Sequence, residues 1–322
     1  MIRFHRSLAA MALCLAAGTL QAAGLRTIDI PADADGPALT GIVWSPCAEA
    51  PAPVALGGSF PLPGTRDCPI PDGRKPLIVF SHGHGGTAAG HYDTAEALAD
   101  AGFMVAAINH PGDTARDLSQ ARDVAVMVRR PADIRRLIDH LVGPSPLAAH
   151  IDPGRIGFFG FSRGGYTGLV LIGATPGWAA PDCDPRSPWC AQRRARTEAA
   201  APLTHDPRIR AAVIADPLAL FFPAATLGAI RVPVLLWLSE HGGDGVTPQD
   251  SATLDENLPA GHESRVVAGA GHFAFLAPCP PPLARSLPEL CTDAPGFDRT
   301  AFHRQFNAET VAFFKSRLAV VE

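Results

Sequence analysis

Short apolar runs alternate with segments of helical period along most of the chain, and few architectures accept that order. Leu77-Ile78-Val79-Phe80, Phe103–Ile108, Arg155–Phe159, Ile209–Ala215, Val232–Leu238 and the short Arg265–Val267 read as strands. Thr94–Ala101, Pro131–Val142, Gly164–Gly173 and Phe302–Leu318 read as helices. In the second of these, Ile134, Leu137, Ile138 and Leu141 fall on one stripe, and Pro131 suits a first helical turn. Strands that are apolar on successive residues must be covered on both faces. The alternation therefore predicts one α/β domain, with a mostly parallel central sheet and helices on both faces.

The 322 residues are enough for one large domain of this kind. A composition of 47% hydrophobic and 18% charged residues fits a globular chain. A formal net charge of -4, with no long Lys/Arg run, argues against a nucleic-acid partner.

Residues 1–23 read as a secretory signal: Arg3, His5 and Arg6 precede the apolar stretch Leu8–Ala17, and small residues around Ala22 and Ala23 offer a cleavage site. The apolar stretch is about ten residues, short of the roughly 20 that span a bilayer, so no stable membrane anchor is expected. The domain then runs over residues 24–322, in the periplasm or outside the cell. Cysteine usage agrees with export. Without Cys14 six remain, in the local pairs Cys47/Cys68, Cys183/Cys190 and Cys279/Cys291, each bracketing a proline-rich loop. Proximity favours those three disulfides, and the spacings do not match zinc sites.

Two segments interrupt the alternation. Ala48–Lys75 is rich in Pro and Gly and reads as a loop closed by Cys47 and Cys68. Thr175–Pro207 lies between two strands and carries a basic helical stretch around Arg193–Arg196. It reads as an insertion on one face, a candidate cap.

The chemistry centres on Gly160-Phe161-Ser162-Arg163-Gly164, set between a strand and an apolar helix. A sharp strand-to-helix turn presents the serine hydroxyl at the carboxyl end of the sheet, and the flanking glycines relieve crowding. A serine hydroxyl needs a base to act as a nucleophile. His272, in Gly269-Ala270-Gly271-His272-Phe273, follows the last strand and occupies the expected place in the order serine, acid, histidine. His262 precedes that strand, and His303 lies on the terminal helix, where exposure is expected.

Two carboxylates compete to orient the histidine. Asp244 follows Val232–Leu238, and Asp216 ends Ile209–Ala215 directly; the later strand favours Asp244, with Glu240 a third candidate. An oxyanion hole needs two backbone N–H donors. Arg163, next to the serine, supplies one, and His84, in Ser81-His82-Gly83-His84-Gly85-Gly86, the other. His82 and His84 alternate and no carboxylate cluster accompanies them, so no metal is expected, and acyl transfer through a serine requires no cofactor. Trp178, Trp189 and Phe221-Phe222 are candidates for an acyl pocket or for plain packing.

The His82–Gly86 loop, the Gly160–Gly165 turn and Gly269-Ala270-Gly271-His272-Phe273-Ala274-Phe275-Leu276 together resemble the predicted dienelactone hydrolase-like serine hydrolases. These are relatives of platelet-activating-factor acetylhydrolases and bacterial polyester-cleaving esterases within the α/β-hydrolase superfamily. The resemblance spans residues 25–318. It implies hydrolysis of a small-molecule or polymeric ester through an acyl-enzyme on Ser162. Dienelactone hydrolases proper use cysteine at the elbow, so dienelactone is not the expected substrate. Acetylhydrolase-like members place the acid as Asp216 stands, and other relatives as Asp244 stands. A peptidase or amidase would use the same residues, and a binding protein on this scaffold would dispense with them.

Overall fold

The computed structural model describes residues 23–56, 60–178, 188–198 and 203–319. The expected signal segment lies almost wholly outside them, as does Cys183. Among the described residues ten strands form one sheet: β1 (Gly24–Ile30), β2 (Leu39–Ser45), β3 (Ala52–Val54), β4 (Leu62–Arg66), β5 (Lys75–Ser81), β6 (Met104–Asn109), β7 (Ile151–Phe161), β8 (Ile209–Ala215), β9 (Val234–Ser239) and β10 (Glu263–Val267). Their order is β10-β9-β8-β7-β5-β6-β2-β1-β4-β3. From β10 to β6 every pair is parallel, while β2 runs antiparallel to both β6 and β1.

The helices are α1 (Tyr92–Asp100), α2 (Val124–Val142), α3 (Arg163–Leu171), α4 (Pro188–Glu198), α5 (Pro248–Asn257), α6 (Pro281–Ser286), α7 (Pro288–Cys291) and α8 (Arg299–Arg317). Strand alternation divides the core between the two faces. Leu77, Val79, Met104 and Ile108 point to the side packed by Met127, Ile134 and Leu137 of α2 and Leu169 of α3. Ile78, Phe80 and Val105 point to the side packed by Leu98 of α1 and Phe306 and Phe314 of α8. Because both faces are covered, the central strands are apolar throughout.

Four features differ from the sequence reading. Helix α2 begins at Val124, so Pro131 lies inside it rather than in its first turn. Asp123 caps the helix by accepting the Ala125 N–H at 2.8 Å, and burial of Val124, Val126 and Met127 offsets the bond that Pro131 cannot make. The Ala48–Lys75 loop contains the hairpin β3–β4, whose Pro53 and Pro63 stand opposite each other at the edge of the sheet. The amino-terminal strands β1 and β2 extend the sheet beyond the predicted alternation. His303 is buried, not exposed. Its side chain accompanies Phe306 and Thr310 on the inner stripe of α8.

Cys47–Cys68 and Cys279–Cys291 are disulfides, and Cys190 is disulfide-bonded. The Cys279–Cys291 bridge, with a sequence separation of 12, closes the segment that follows His272. A Cys279→Ala/Cys291→Ala double variant is expected to lose about 3 kcal/mol by loop-closure entropy. Urea unfolding of the two proteins measures it. Among the described residues no helix is long and apolar enough to cross a membrane.

Candidate active site

Ser162 sits between β7 and α3 with φ 55° and ψ −118°, in the left-handed half of backbone space that a side chain resists. The surroundings over-determine this conformation. The Ser162 N–H donates to Ala215 O at 3.0 Å, and its carbonyl accepts from the Tyr166 N–H at 3.1 Å and the Leu218 N–H at 3.0 Å. The flanking glycines are required by close approach. A Cβ on Gly160 would lie 2.3 Å from Gly164 O, and one on Gly164 would lie 1.8 Å from Ser81 O. Helix α3 therefore packs its first turn directly against the end of β5. The loop after β5 is equally close, since a Cβ on Gly83 would lie 3.2 Å from Ser162 Cβ.

His272 opens a short 3-10 turn, His272–Phe275, after β10. Its ring stacks on that of Phe161, the residue before the serine, with centroids 4.6 Å apart. Its backbone N–H donates to Gly242 O at 2.8 Å. Its Nδ1 is 2.6 Å from Asp216 Oδ2, and its buried Nε2 has no hydrogen-bond partner among the described residues. Asp216 is fully buried at the end of β8, with φ 42°. The Ser239 N–H donates to its Oδ1 at 2.7 Å and the Ser239 hydroxyl to its Oδ2 at 2.8 Å. A carboxylate held this way fixes the proton of the imidazole on Nδ1 and leaves a lone pair on Nε2.

Of the two candidate carboxylates, the structure brings Asp216 to His272 and leaves Asp244 apart from it. Asp244 is exposed, in a tight turn closed by Gly243 and Val246, whose N–H groups each donate to the other's carbonyl at 2.9 Å. That loop supports His272 through the backbone of Gly242 and not through the Asp244 carboxylate. Glu240 also serves the histidine loop, its Oε2 accepting the Gly269 N–H at 2.6 Å. Sequence reasoning missed Ser239 and Phe161 as partners of the acid and the ring. Their signal was position alone, one at the end of the next strand and one beside the nucleophile.

His303 anchors the same loop from below. Its Nδ1 is 2.6 Å from Asp93 Oδ2 and its Nε2 is 2.9 Å from Ala274 O. Burial alone would raise the Asp93 carboxyl, but hydrogen bonds from His303 and Asn307 bring it below its ordinary range.

The backbone N–H groups of Arg163 and His84 donate no hydrogen bond among the described residues. The His84 side chain is exposed and turns to Asp113, whereas His82 is buried. His82 Nδ1 is 2.7 Å from Gly83 O, and its Nε2 accepts the His110 N–H at 3.2 Å. Burial, reinforced by the Arg130 charge, holds His82 well below the usual histidine range. It is a neutral brace for the loop, with both nitrogens used. Among the described residues only Cys47, Glu49 and Cys68 are grouped closely enough to reach one metal ion, and the two sulfurs are joined as a disulfide. Trp178, Phe221 and Phe222 are buried around Tyr166 of α3, with ring centroids 5.3–6.3 Å from it, so they belong to the core under the elbow.

The sequence profile of the family "Platelet-activating factor acetylhydrolase, isoform II" matches residues 55–130, which hold the loop after β5 but not Ser162 or His272. A ferulic acid esterase from Streptomyces cinnamoneus has a similar structure, with a TM-score of 0.64 at 19% identity, over 94% of this chain and 91% of that one. No curated protein matches the chain. The strand order, the elbow and these two likenesses agree: the chain has the α/β-hydrolase fold and resembles the esterases of that superfamily.

Proposed function

We propose that the chain is an exported serine hydrolase that cleaves carboxylic esters through an acyl-enzyme on Ser162. The observation that carries the reading is the polarity of His272, tied at Nδ1 to a buried carboxylate and unpartnered at Nε2 among the described residues, its ring stacked on Phe161, the neighbour of a serine held on a left-handed elbow. In the first half-reaction Ser162 Oγ attacks the ester carbonyl and His272 Nε2 takes its proton. Asp216 keeps the ring in the required tautomer and stabilises the imidazolium. The Arg163 and His84 N–H groups receive the developing oxyanion, and His272 returns the proton to the departing alcohol. Water, activated by the same nitrogen, then releases the acid. The chemistry calls for no cofactor.

The matching family and the similar structure name an acetylhydrolase and a ferulic acid esterase, so esters of acetic and hydroxycinnamic acids lead the substrate panel. Export rests on the signal-like amino terminus and the disulfides. Exposure of the mature protein to a fluorophosphonate probe is expected to label wild type at Ser162 and to leave Ser162→Ala unlabelled. A folded wild type that neither labels nor hydrolyses the panel rejects the mechanism. Amide turnover equal to that of matched esters would move the chain to the amidases.

A further inference from the structure

We infer that Asp113 is the positioning residue of the oxyanion hole, its carboxylate bridging the two segments that carry the N–H donors; the inference rests on the acyl-transfer reading above. Asp113 follows β6 in His110-Pro111-Gly112-Asp113, where its N–H donates to His110 O at 3.1 Å and the Gly112 φ of 75° makes the turn. Its side chain is fully buried and its two oxygens face different elements. Oδ1 accepts the Gly85 N–H at 3.1 Å and lies 3.0 Å from His84 Nδ1, so it holds the loop after β5. Oδ2 accepts from Arg163 Nη1 at 3.0 Å and from Arg130 Nη1 at 2.7 Å, so it holds the first residue of α3 and the middle of α2.

The surrounding groups close the frame. Arg130 Nη2 also donates to the Ser81 hydroxyl at 3.3 Å and to the His82 carbonyl. Arg163 Nη1 donates as well to Ala121 O at 2.8 Å, and the Ala115 N–H donates to Gly86 O at 3.1 Å. Ser81 Oγ in turn lies 2.9 Å from His110 Nε2. Burial alone would raise the Asp113 carboxyl, but the His84 hydrogen bond and the Arg130 and Arg163 charges hold it far below the usual carboxylate range.

A buried carboxylate with two guanidinium groups is a costly way to make a turn, because each ion must leave water. What the arrangement achieves is geometric. The proposed donors, His84 N–H and Arg163 N–H, belong to residues whose side chains meet on one carboxylate, one on each oxygen. Their separation is then set by the width of a rigid group, and a hole misplaced by a fraction of an ångström loses its advantage.

The test compares an ester with its thionoester in wild type, Asp113→Asn and the milder Arg163→Met, which keeps the backbone N–H and removes the tether. Sulfur is a weak hydrogen-bond acceptor, so an enzyme that relies on its oxyanion hole strongly prefers the oxygen substrate. Asp113→Asn is expected to lose roughly 100-fold in kcat with KM little changed, and its ester-to-thionoester preference falls with kcat. Arg163→Met moves both quantities in the same direction by less. Unchanged kcat in both folded variants overturns the inference, as does a lower kcat with an unchanged preference. If Asp113→Asn fails to fold, Arg163→Met decides between the same outcomes. An unlabelled, inactive wild type removes the acyl-transfer reading itself and the inference with it; labelling at Ser162 with Asp113 variants at full rate removes the inference alone.

Discussion

Asp216→Asn is expected to lower kcat for ester hydrolysis by roughly 10⁴-fold at neutral pH, the scale of loss when the carboxylate of a serine triad becomes an amide. The amide can satisfy the Ser239 N–H through its oxygen, but its NH₂ group then faces the Ser239 hydroxyl and His272 Nδ1. The imidazole responds by moving its proton to Nε2, and the base is lost. Asp244→Asn, in an exposed turn, is expected to stay within about twofold of wild type. Steady-state kinetics on the two folded variants measures both. Equal losses, or the larger loss at Asp244, would reject the triad Ser162, His272, Asp216.

Gly164→Ala has the second large effect, on folding as well as rate. The added methyl would stand 1.8 Å from Ser81 O, 2.6 Å from Ser81 C and 2.9 Å from His82 O. These are backbone atoms of a central strand and of the loop behind the proposed hole, so no side-chain rotation makes room. The helix must withdraw, and the elbow opens. A destabilisation of about 3 kcal/mol or more is expected, together with loss of probe labelling. Gly228→Ala is the control, since its Cβ would meet nothing within 4 Å and its backbone lies outside the left-handed region. It is expected to change stability by less than about 0.5 kcal/mol. Urea midpoints of the pair decide the matter.

The central sheet and the elbow were legible because each rests on local pattern. Strands such as Leu77–Phe80 are apolar at every position, and Gly160, Ser162 and Gly164 lie within five consecutive residues. Legibility failed where the deciding contact is distant. Asp216 and Asp244 both follow strands, and only the meeting of β8, β9 and the histidine loop separates them. Asp113 draws its partners from residues 84, 85, 130 and 163, which share no sequence signature. The hairpin β3–β4 was hidden by its prolines, which read as loop although Pro53 and Pro63 are tolerated at a sheet edge. The burial of His303 was available in principle, because it falls three residues before Phe306 on the inner stripe of α8.

The two rims of the sheet bear on how such a chain behaves in a crowd. On one rim β3 and β4 set Pro53 against Pro63, so the outermost strand lacks an N–H that a neighbouring molecule could recruit. On the other, β10 carries Arg265 and Glu263, which are engaged with Glu309 and Arg317 of α8. Charged side chains along an edge strand disfavour its pairing with a second copy of the same edge. Neither border is a ready template for strand addition, and concentrated solutions of the folded protein should resist conversion to fibrils.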